Sequence, residues 1–205
     1  MNEEQQANKQ NNGKVRTSDG LDLYWQSWLV DKPTAVIVLI HGLAEHSGRY
    51  SDTALYFARH GWAVYACDLR GHGLSPDGHR PGRVHVDHFT DYAIDVNAIV
   101  TLAKQRHPEL PHIILGHSMG GLITLSYILD HPGELHAAVL SSPALGAPPD
   151  ARPPLLLNLL VRFLAHIHPR LFISSDLDTA AICRDPEVVR AYRDDPLVSD
   201  KVSAR

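Results

Sequence analysis

Cysteine is scarce in this sequence, which excludes a disulfide framework. The chain of 205 residues has only two cysteines, Cys67 and Cys183, and they lie far apart and form no Cys-x-x-Cys motif. Such usage is typical of proteins kept in a reducing compartment. We therefore expect a cytoplasmic location.

Basic charge and long apolar runs are also in short supply. The sequence has 19 Lys and Arg against 23 Asp and Glu, without a basic block, so nothing favours a nucleic-acid partner. No apolar run reaches the roughly 18 residues that are typical of a transmembrane helix. The start, MNEEQQANKQNNGK, lacks the basic end and apolar core of a signal peptide. Residues 1–13 are therefore predicted to form a disordered polar tail.

The sequence does contain enough apolar residues for one sizeable domain in which strands alternate with helices. Hydrophobic residues make up 44% of the chain, and its length suits a single domain. Apolar runs predict strands within residues 14–29, 34–42, 62–75, 111–118 and 134–143. Helical spacing predicts helices within residues 50–61, 89–108 and 119–132. This alternation indicates a mostly parallel sheet with helices on both faces.

The stretch HIILGHSMGGLITL, residues 112–125, has a serine between two glycines where a predicted strand gives way to a helix. Gly116, Ser118 and Gly120 fit the Gly-x-Ser-x-Gly nucleophile elbow, a tight strained turn that projects the serine hydroxyl. The glycines let strand and helix approach each other closely. Because ligands of parallel sheets bind at the carboxyl ends of strands, we predict that Ser118 is a nucleophile.

Three stretches, HGLAEHSGRY (41–50), DLRGHGLS (68–75) and GHSMGG (116–121), resemble the monoacylglycerol lipase and lysophospholipase group of the α/β-hydrolases. The resemblance implies an α/β-hydrolase core in residues 14–142, followed by a helical cap in residues 143–205, which we call the cap segment. It also implies a serine ester hydrolase that cleaves monoacylglycerols or lysophospholipids through an acyl-enzyme at Ser118. Neither a metal nor a cofactor is expected.

The motif match extends to residues 41–50, which we call the oxyanion loop. It implies that the backbone N–H groups of Leu43, which follows Gly42, and of Met119 form the oxyanion hole. His41 is expected to hold this loop rather than to act as a base. Loop-fixing roles are also expected for three further polar side chains, those of Glu45, His46 and Arg49.

The cap segment opens with prolines and continues with a helical pattern that is apolar around nearly its whole circumference. Such a helix either forms a lid or packs in a core. The lid is favoured because the resembled family inserts a cap at this point, and it would line an acyl-chain channel and contact membrane surfaces. The candidate lining residues are Leu156, Leu160, Phe163 and Leu164.

The resemblance also exposes a deficit. In α/β-hydrolases the nucleophile is followed along the chain by an acid and then a histidine, both after the cap. No histidine follows His168, so the triad Asp and His, with the final strands and helices, are expected to be missing from this chain. Three functions stay open: a serine ester hydrolase seen in truncated form, a non-catalytic fragment that binds a lipid or a partner, and a thioesterase or carbon–carbon bond hydrolase of the same fold.

Overall fold

The computed structural model of the chain describes residues 7–76, 84–146, 166–168, 170–175 and 178–203. The main sheet in these ranges consists of β1 (Ala7–Arg16), β2 (Asp22–Val30), β3 (Ala35–Ile40), β4 (Trp62–Cys67), β5 (His112–His117) and β6 (Ala137–Ser141). The helices next to it are α1 (Ser51–Arg59), α2 (Asp91–Arg106) and α3 (Met119–Asp130). The described part of the cap segment contains β7 (Phe172–Ser174), α4 (Pro186–Asp194) and β8 (Lys201–Ser203).

The sheet has the strand order β1-β2-β4-β3-β5-β6. The first two pairings, β1 with β2 and β2 with β4, are antiparallel, whereas β4, β3, β5 and β6 run parallel to one another. The predicted mostly parallel sheet is therefore confirmed. Because the four parallel strands end at the same edge, the segments that follow β3 and β5 are brought together, and these segments begin with His41 and Ser118.

The central strand β3 is buried on both faces, as its unbroken apolar run predicts. All six of its residues are buried. Val36, Val38 and Ile40 belong to the cluster that includes the buried residues of α2 and α3, while Ile37 and Leu39 pack with α1 on the opposite face. Burial of each such side chain contributes about 1.5–3 kcal/mol. The oxyanion loop therefore starts from a fixed point in the core.

The first strand begins earlier than the sequence predicts. Residues 7–13, expected to belong to a disordered tail, lie in β1 and pair antiparallel with β2. Pairing at a sheet edge uses backbone groups and does not require apolar side chains, so the polar composition conceals the strand. Gly13 also lies close against Trp25, where an added Cβ would be 3.3 Å from the indole ring.

The described part of the cap segment contains the α-helix α4. Asp185 caps α4 by accepting a hydrogen bond from the N–H of Glu187 at 2.9 Å, and Pro186 occupies the first helical position, where its missing N–H costs nothing. No helix within the described ranges is long and apolar enough to cross a membrane. Outside those ranges lie the four candidate acyl-channel residues, Leu156, Leu160, Phe163 and Leu164, so the lid stays a prediction.

Candidate active site

Ser118 lies between the end of β5 and the start of α3 in a strained backbone conformation. Its φ is 53° and its ψ is −119°, a region that a non-glycine residue occupies at a cost in free energy. Hydrogen bonds hold it there, because its N–H donates to the carbonyl of Ser141 at 3.0 Å and its carbonyl accepts from the N–H of Gly121 at 3.0 Å. Ser118 therefore has the tight strand-to-helix turn that a nucleophile elbow requires.

The elbow glycines are needed for space. A Cβ at Gly116 would lie 2.4 Å from the carbonyl oxygen of Gly120, and a Cβ at Gly120 would lie 2.3 Å from that of His41. Both obstacles are backbone atoms that cannot move aside like a flexible side chain. The close approach fixes α3 against the strands, and with it Met119, the first residue of the helix. The first N–H groups of a helix have no acceptor within the helix. No carbonyl of α3 therefore competes with a substrate oxygen for the Met119 N–H.

The oxyanion loop passes directly beside Ser118. A Cβ at Gly42 would lie 3.3 Å from Ser118 Cβ and 2.8 Å from Glu45 Oε1. Leu43, the next residue, is half-buried and lines the same cavity as Ser118. Ala44 follows with a φ of 61°, although it is not a glycine. The loop thus brings its second and third residues against the serine through a locally strained turn.

His41 is fully buried, and both of its ring nitrogens contact the backbone. Nε2 accepts a hydrogen bond from the N–H of Leu69 at 2.9 Å, and Nδ1 donates to the carbonyl of Gly42 at 2.7 Å. Burial lowers the pKa of His41, although Asp68 and Glu45 oppose this effect. The imidazole is therefore neutral, with both nitrogens hydrogen-bonded, and it acts as a strut between the segment after β4 and the oxyanion loop, as the sequence leads us to expect.

Glu45 closes the oxyanion loop on itself. Its carboxylate accepts hydrogen bonds from the N–H of Gly42 at 2.6 Å, the hydroxyl of Tyr50 at 2.5 Å and Nε of Arg49 at 3.0 Å. Burial favours a raised pKa for Glu45, but the hydrogen bonds from Tyr50 and Gly42 and the charge of Arg49 outweigh burial and hold the pKa below its ordinary value. Glu45 is thus ionised and fixes the loop from inside.

The remaining loop side chains reach across to the cap segment. His46 accepts the N–H of Gly48 on Nδ1, so its Nε2 carries the proton and donates to Asp195 Oδ2 at 2.8 Å. The guanidinium of Arg49 lies 4.3 Å from the centre of the Tyr192 ring on α4. His46 and Arg49 therefore fix the loop as expected, and they do so partly through cap residues that the sequence analysis did not single out.

A cavity of about 320 Å³ opens between the core and the cap segment. Its lining residues are Leu43, Glu45, Arg49, Tyr50, Thr53, His117, Ser118, Ile182 and Tyr192. Sequence reasoning missed five of these as site residues: Tyr50, Thr53, His117, Ile182 and Tyr192. Tyr192 had a detectable signal, since it is the one aromatic residue of its helix, PEVVRAYRD.

No histidine within the described part of the chain forms a hydrogen bond with the hydroxyl of Ser118. His117, its neighbour, pairs through Nδ1 with Ser141 Oγ at 3.1 Å. His72 lies behind His41, and burial lowers its pKa to about 3. The described residues therefore present a serine and candidate oxyanion donors, without a base in contact.

Comparison with known proteins adds independent support for this reading of the fold. Residues 31–205 match the family described as "Serine aminopeptidase, S33". The monoacylglycerol lipase of Mycolicibacterium smegmatis is 42% identical over 180 residues, which cover 87% of this chain and 62% of that protein. Phospholipase YtpA of Bacillus subtilis is 34% identical over 87% of this chain and 66% of its own length.

Solved structures agree with these matches. The crystal structure of the Paleococcus ferrophilus monoacylglycerol lipase aligns with a TM-score of 0.73 at 33% identity, covering 89% of this chain and 66% of that chain. The chain therefore spans 62 to 66% of the length of these relatives.

Proposed function

This chain belongs to the serine aminopeptidase S33 family of α/β-hydrolases, and we propose that it is part of a serine ester hydrolase in which Ser118 is the nucleophile. The observation that carries the proposal is the strained backbone of Ser118, with φ at 53°, placed directly beside the oxyanion loop. Such a turn projects the serine hydroxyl for attack on an acyl carbon, and backbone N–H groups of the adjacent loop and helix start can stabilise the charge that develops on the acyl oxygen.

In this mechanism Ser118 Oγ attacks the ester carbonyl, and the negative charge that develops on its oxygen is stabilised by the N–H groups of Leu43 and Met119. Collapse of the tetrahedral intermediate releases the alcohol and leaves an acyl-enzyme, which water then hydrolyses. A base, expected to be a histidine, must take the proton from Oγ and return it to the oxygen of the departing alcohol. We propose that this histidine and its orienting carboxylate belong to the length of the relatives that this chain does not span.

The cavity lining favours an uncharged, hydroxyl-bearing head group and therefore a monoacylglycerol over a lysophospholipid. Among the described lining residues Arg49 is the cation, and its charge is balanced by Glu45 at 3.0 Å and covered by Tyr192. A phosphate would have to compete for this guanidinium with Glu45, which also accepts from the N–H of Gly42. The hydroxyls of Tyr50 and Thr53 and the imidazole of His117 offer hydrogen bonds that suit a glycerol head.

One observation favours a second function, a non-catalytic chain that binds a lipid. Among the described residues no base contacts Ser118, and a serine without a base is only weakly nucleophilic. Such a chain would still bind a monoacylglycerol in the cavity but would not turn it over.

The test is a chimeric protein in which residues 1–205 are joined to the part of the Mycolicibacterium relative that this chain does not span. We expect it to hydrolyse a monoacylglycerol faster than the lysophosphatidylcholine of the same acyl chain. The matched Ser118→Ala chimera should lose about a thousandfold or more in kcat/KM. Binding of the monoacylglycerol by a folded chimera without hydrolysis would support the non-catalytic function. Equal turnover of the two lipids would contradict the head-group assignment.

A further inference from the structure

Ala44 is the strained point of the oxyanion loop. Its φ of 61° lies in the left-handed region, which a residue with a Cβ disfavours, and it is only 1% exposed. It directly follows Leu43, whose N–H is the proposed oxyanion donor. A strained residue keeps its conformation only if its surroundings hold it. The contacts of Ala44 therefore contribute to the direction of the Leu43 N–H, together with the hydrogen bond from His41 to the Gly42 carbonyl of the same peptide unit.

The core holds the loop on either side of Ala44. His41 and Gly42 are tied to the segment after β4 and to Glu45, and Glu45 in turn is tied to Tyr50. The carbonyl of Ala44 takes no part in these hydrogen bonds, and its donor lies outside the oxyanion loop.

That hydrogen bond comes from the cap segment. The backbone N–H of Ser199 donates to the carbonyl of Ala44 at 2.9 Å. Asp195 aims this donor, because its Oδ1 accepts from the N–H of Leu197 at 2.9 Å and its carbonyl accepts from the N–H of Val198 at 3.1 Å. The other carboxylate oxygen of Asp195 accepts from His46 at 2.8 Å, so the turn that follows α4 is fastened to the oxyanion loop at two points.

We propose that the backbone N–H of Ser199 and the carboxylate of Asp195 are positioning groups that hold Ala44 in its strained conformation and thereby aim the Leu43 N–H at the reacting oxygen. The inference rests on the proposed function of Ser118. It goes further in making the oxyanion hole a joint product of the core and the cap segment. Loosening the turn at residues 195–199 should therefore slow attack by Ser118 and leave ground-state binding little changed.

Ser199→Pro and Ser199→Ala form a matched pair that isolates the backbone donor. Both remove the Ser199 hydroxyl, which donates to the carbonyl of Lys201, but only proline also removes the N–H that bonds Ala44. The first measurement is hydrogen–deuterium exchange on the 205-residue chain. We expect peptides from residues 41–50 to exchange faster in Ser199→Pro than in Ser199→Ala, while peptides from α2 exchange alike. Equal exchange of residues 41–50 in the two folded variants would overturn the proposal.

The second measurement is the inactivation of the chimera by a fluorophosphonate, in which the Ser118 Oγ–P bond forms, the P–F bond breaks, fluoride leaves and the Oγ proton passes to the base. We expect the maximal inactivation rate to fall at least about tenfold more in Ser199→Pro than in Ser199→Ala, with the inhibitor concentration for half-maximal rate unchanged. A change in that concentration alone would overturn the positioning role.

Asp195→Ala provides an independent variant in case proline prevents folding. It should raise exchange in residues 41–50 and lower the maximal inactivation rate in the same direction, because it frees both His46 and the Leu197 N–H. An unaltered rate and unaltered exchange in Asp195→Ala would contradict the proposal. Absence of any adduct in the unmodified chimera would instead contradict the proposed function, and the exchange comparison would still decide whether the cap turn holds the loop.

Discussion

The two sides of the site around Ser118 are built differently. On the core side, backbone meets backbone at Gly116 and Gly120 with no space for a Cβ. On the cap side, the wall consists of single side chains such as Tyr192 and Ile182, and Ile182 is 41% exposed. A close-packed wall responds to substitution by losing stability, whereas an open wall responds by changing access and positioning.

The groups proposed to react lie on the core side, whereas the cap side contributes side chains to the cavity wall. The groups proposed to attack and to stabilise charge, Ser118 and the N–H of Leu43, depend on core geometry that tolerates no change in volume. The other side chains that line the cavity lie on the oxyanion loop, on α1, at the end of β5, on α4 and just before α4. The hydrogen bond from Ser199 to Ala44 is where the cap side contributes to the core side.

The largest effect is expected on the core side, at Gly120. In Gly120→Ala the new Cβ would lie 2.3 Å from the carbonyl oxygen of His41 and 2.4 Å from that of Ile40, so β3 and α3 must separate. We expect a loss of about 3 kcal/mol or more in the free energy of unfolding, measured by urea titration. The matched control is Gly146→Ala, since a Cβ there meets nothing within 4 Å. Similar stabilities of the two variants would contradict the close packing of the elbow.

A smaller effect is expected at Glu45, which joins the core side to the polar wall. Glu45→Gln keeps the size of the side chain but removes the negative charge of the carboxylate that accepts from Arg49 and Gly42. We expect the free energy of unfolding to fall by about 1–3 kcal/mol at neutral pH. The matched control is Glu109→Gln. Because Glu109 is exposed, this variant should leave the free energy of unfolding nearly unchanged.

The cost at Glu45 should depend on pH in a defined direction. Because the folded-state pKa of Glu45 is depressed, its contribution is fully present above the ordinary pKa of 4.5 and is lost as the pH falls through the lower folded-state value. The stability difference between the parent and Glu45→Gln should therefore narrow in acid. A difference that stays constant or widens as the pH falls would show that Glu45 is not held as a carboxylate.

The smallest perturbation is thiol modification, which compares the two sides without a mutation. Cys67 is fully buried at the end of β4, and burial raises the pKa of its thiol well above the ordinary value, whereas Cys183 is half-buried in the cap segment. We expect one thiol of the native chain to react with an aromatic disulfide reagent and the second to react only on unfolding. Cys183→Ser should remove the fast phase, and two fast phases in the parent would contradict the burial of the core side.

The core side was also the more predictable side. The apolar run of β3 predicts a strand that is buried on both faces. The two glycines around Ser118 predict a turn that has no space for a Cβ. The strut role of His41 followed from its position at a strand end. Such features depend on a few neighbouring residues, so the sequence alone predicts them.

The cap side could not be predicted in the same way. Tyr192 and Asp195 reach the site only because α4 and the turn after it dock on a loop about 150 residues earlier, and no local pattern encodes that contact. The early start of β1 was not predicted for a related reason. Pairing at a sheet edge is made by backbone atoms that all residues share, so the side chains do not reveal it.

The central claim, that Ser118 is the reacting nucleophile, is tested most directly by locating the fluorophosphonate adduct in the chimera by peptide mass spectrometry. The account predicts one adduct, on Ser118 in the peptide that joins β5 to α3, and its absence from the Ser118→Ala chimera. An adduct on another serine, or labelling that persists in Ser118→Ala at the parent rate, would contradict it.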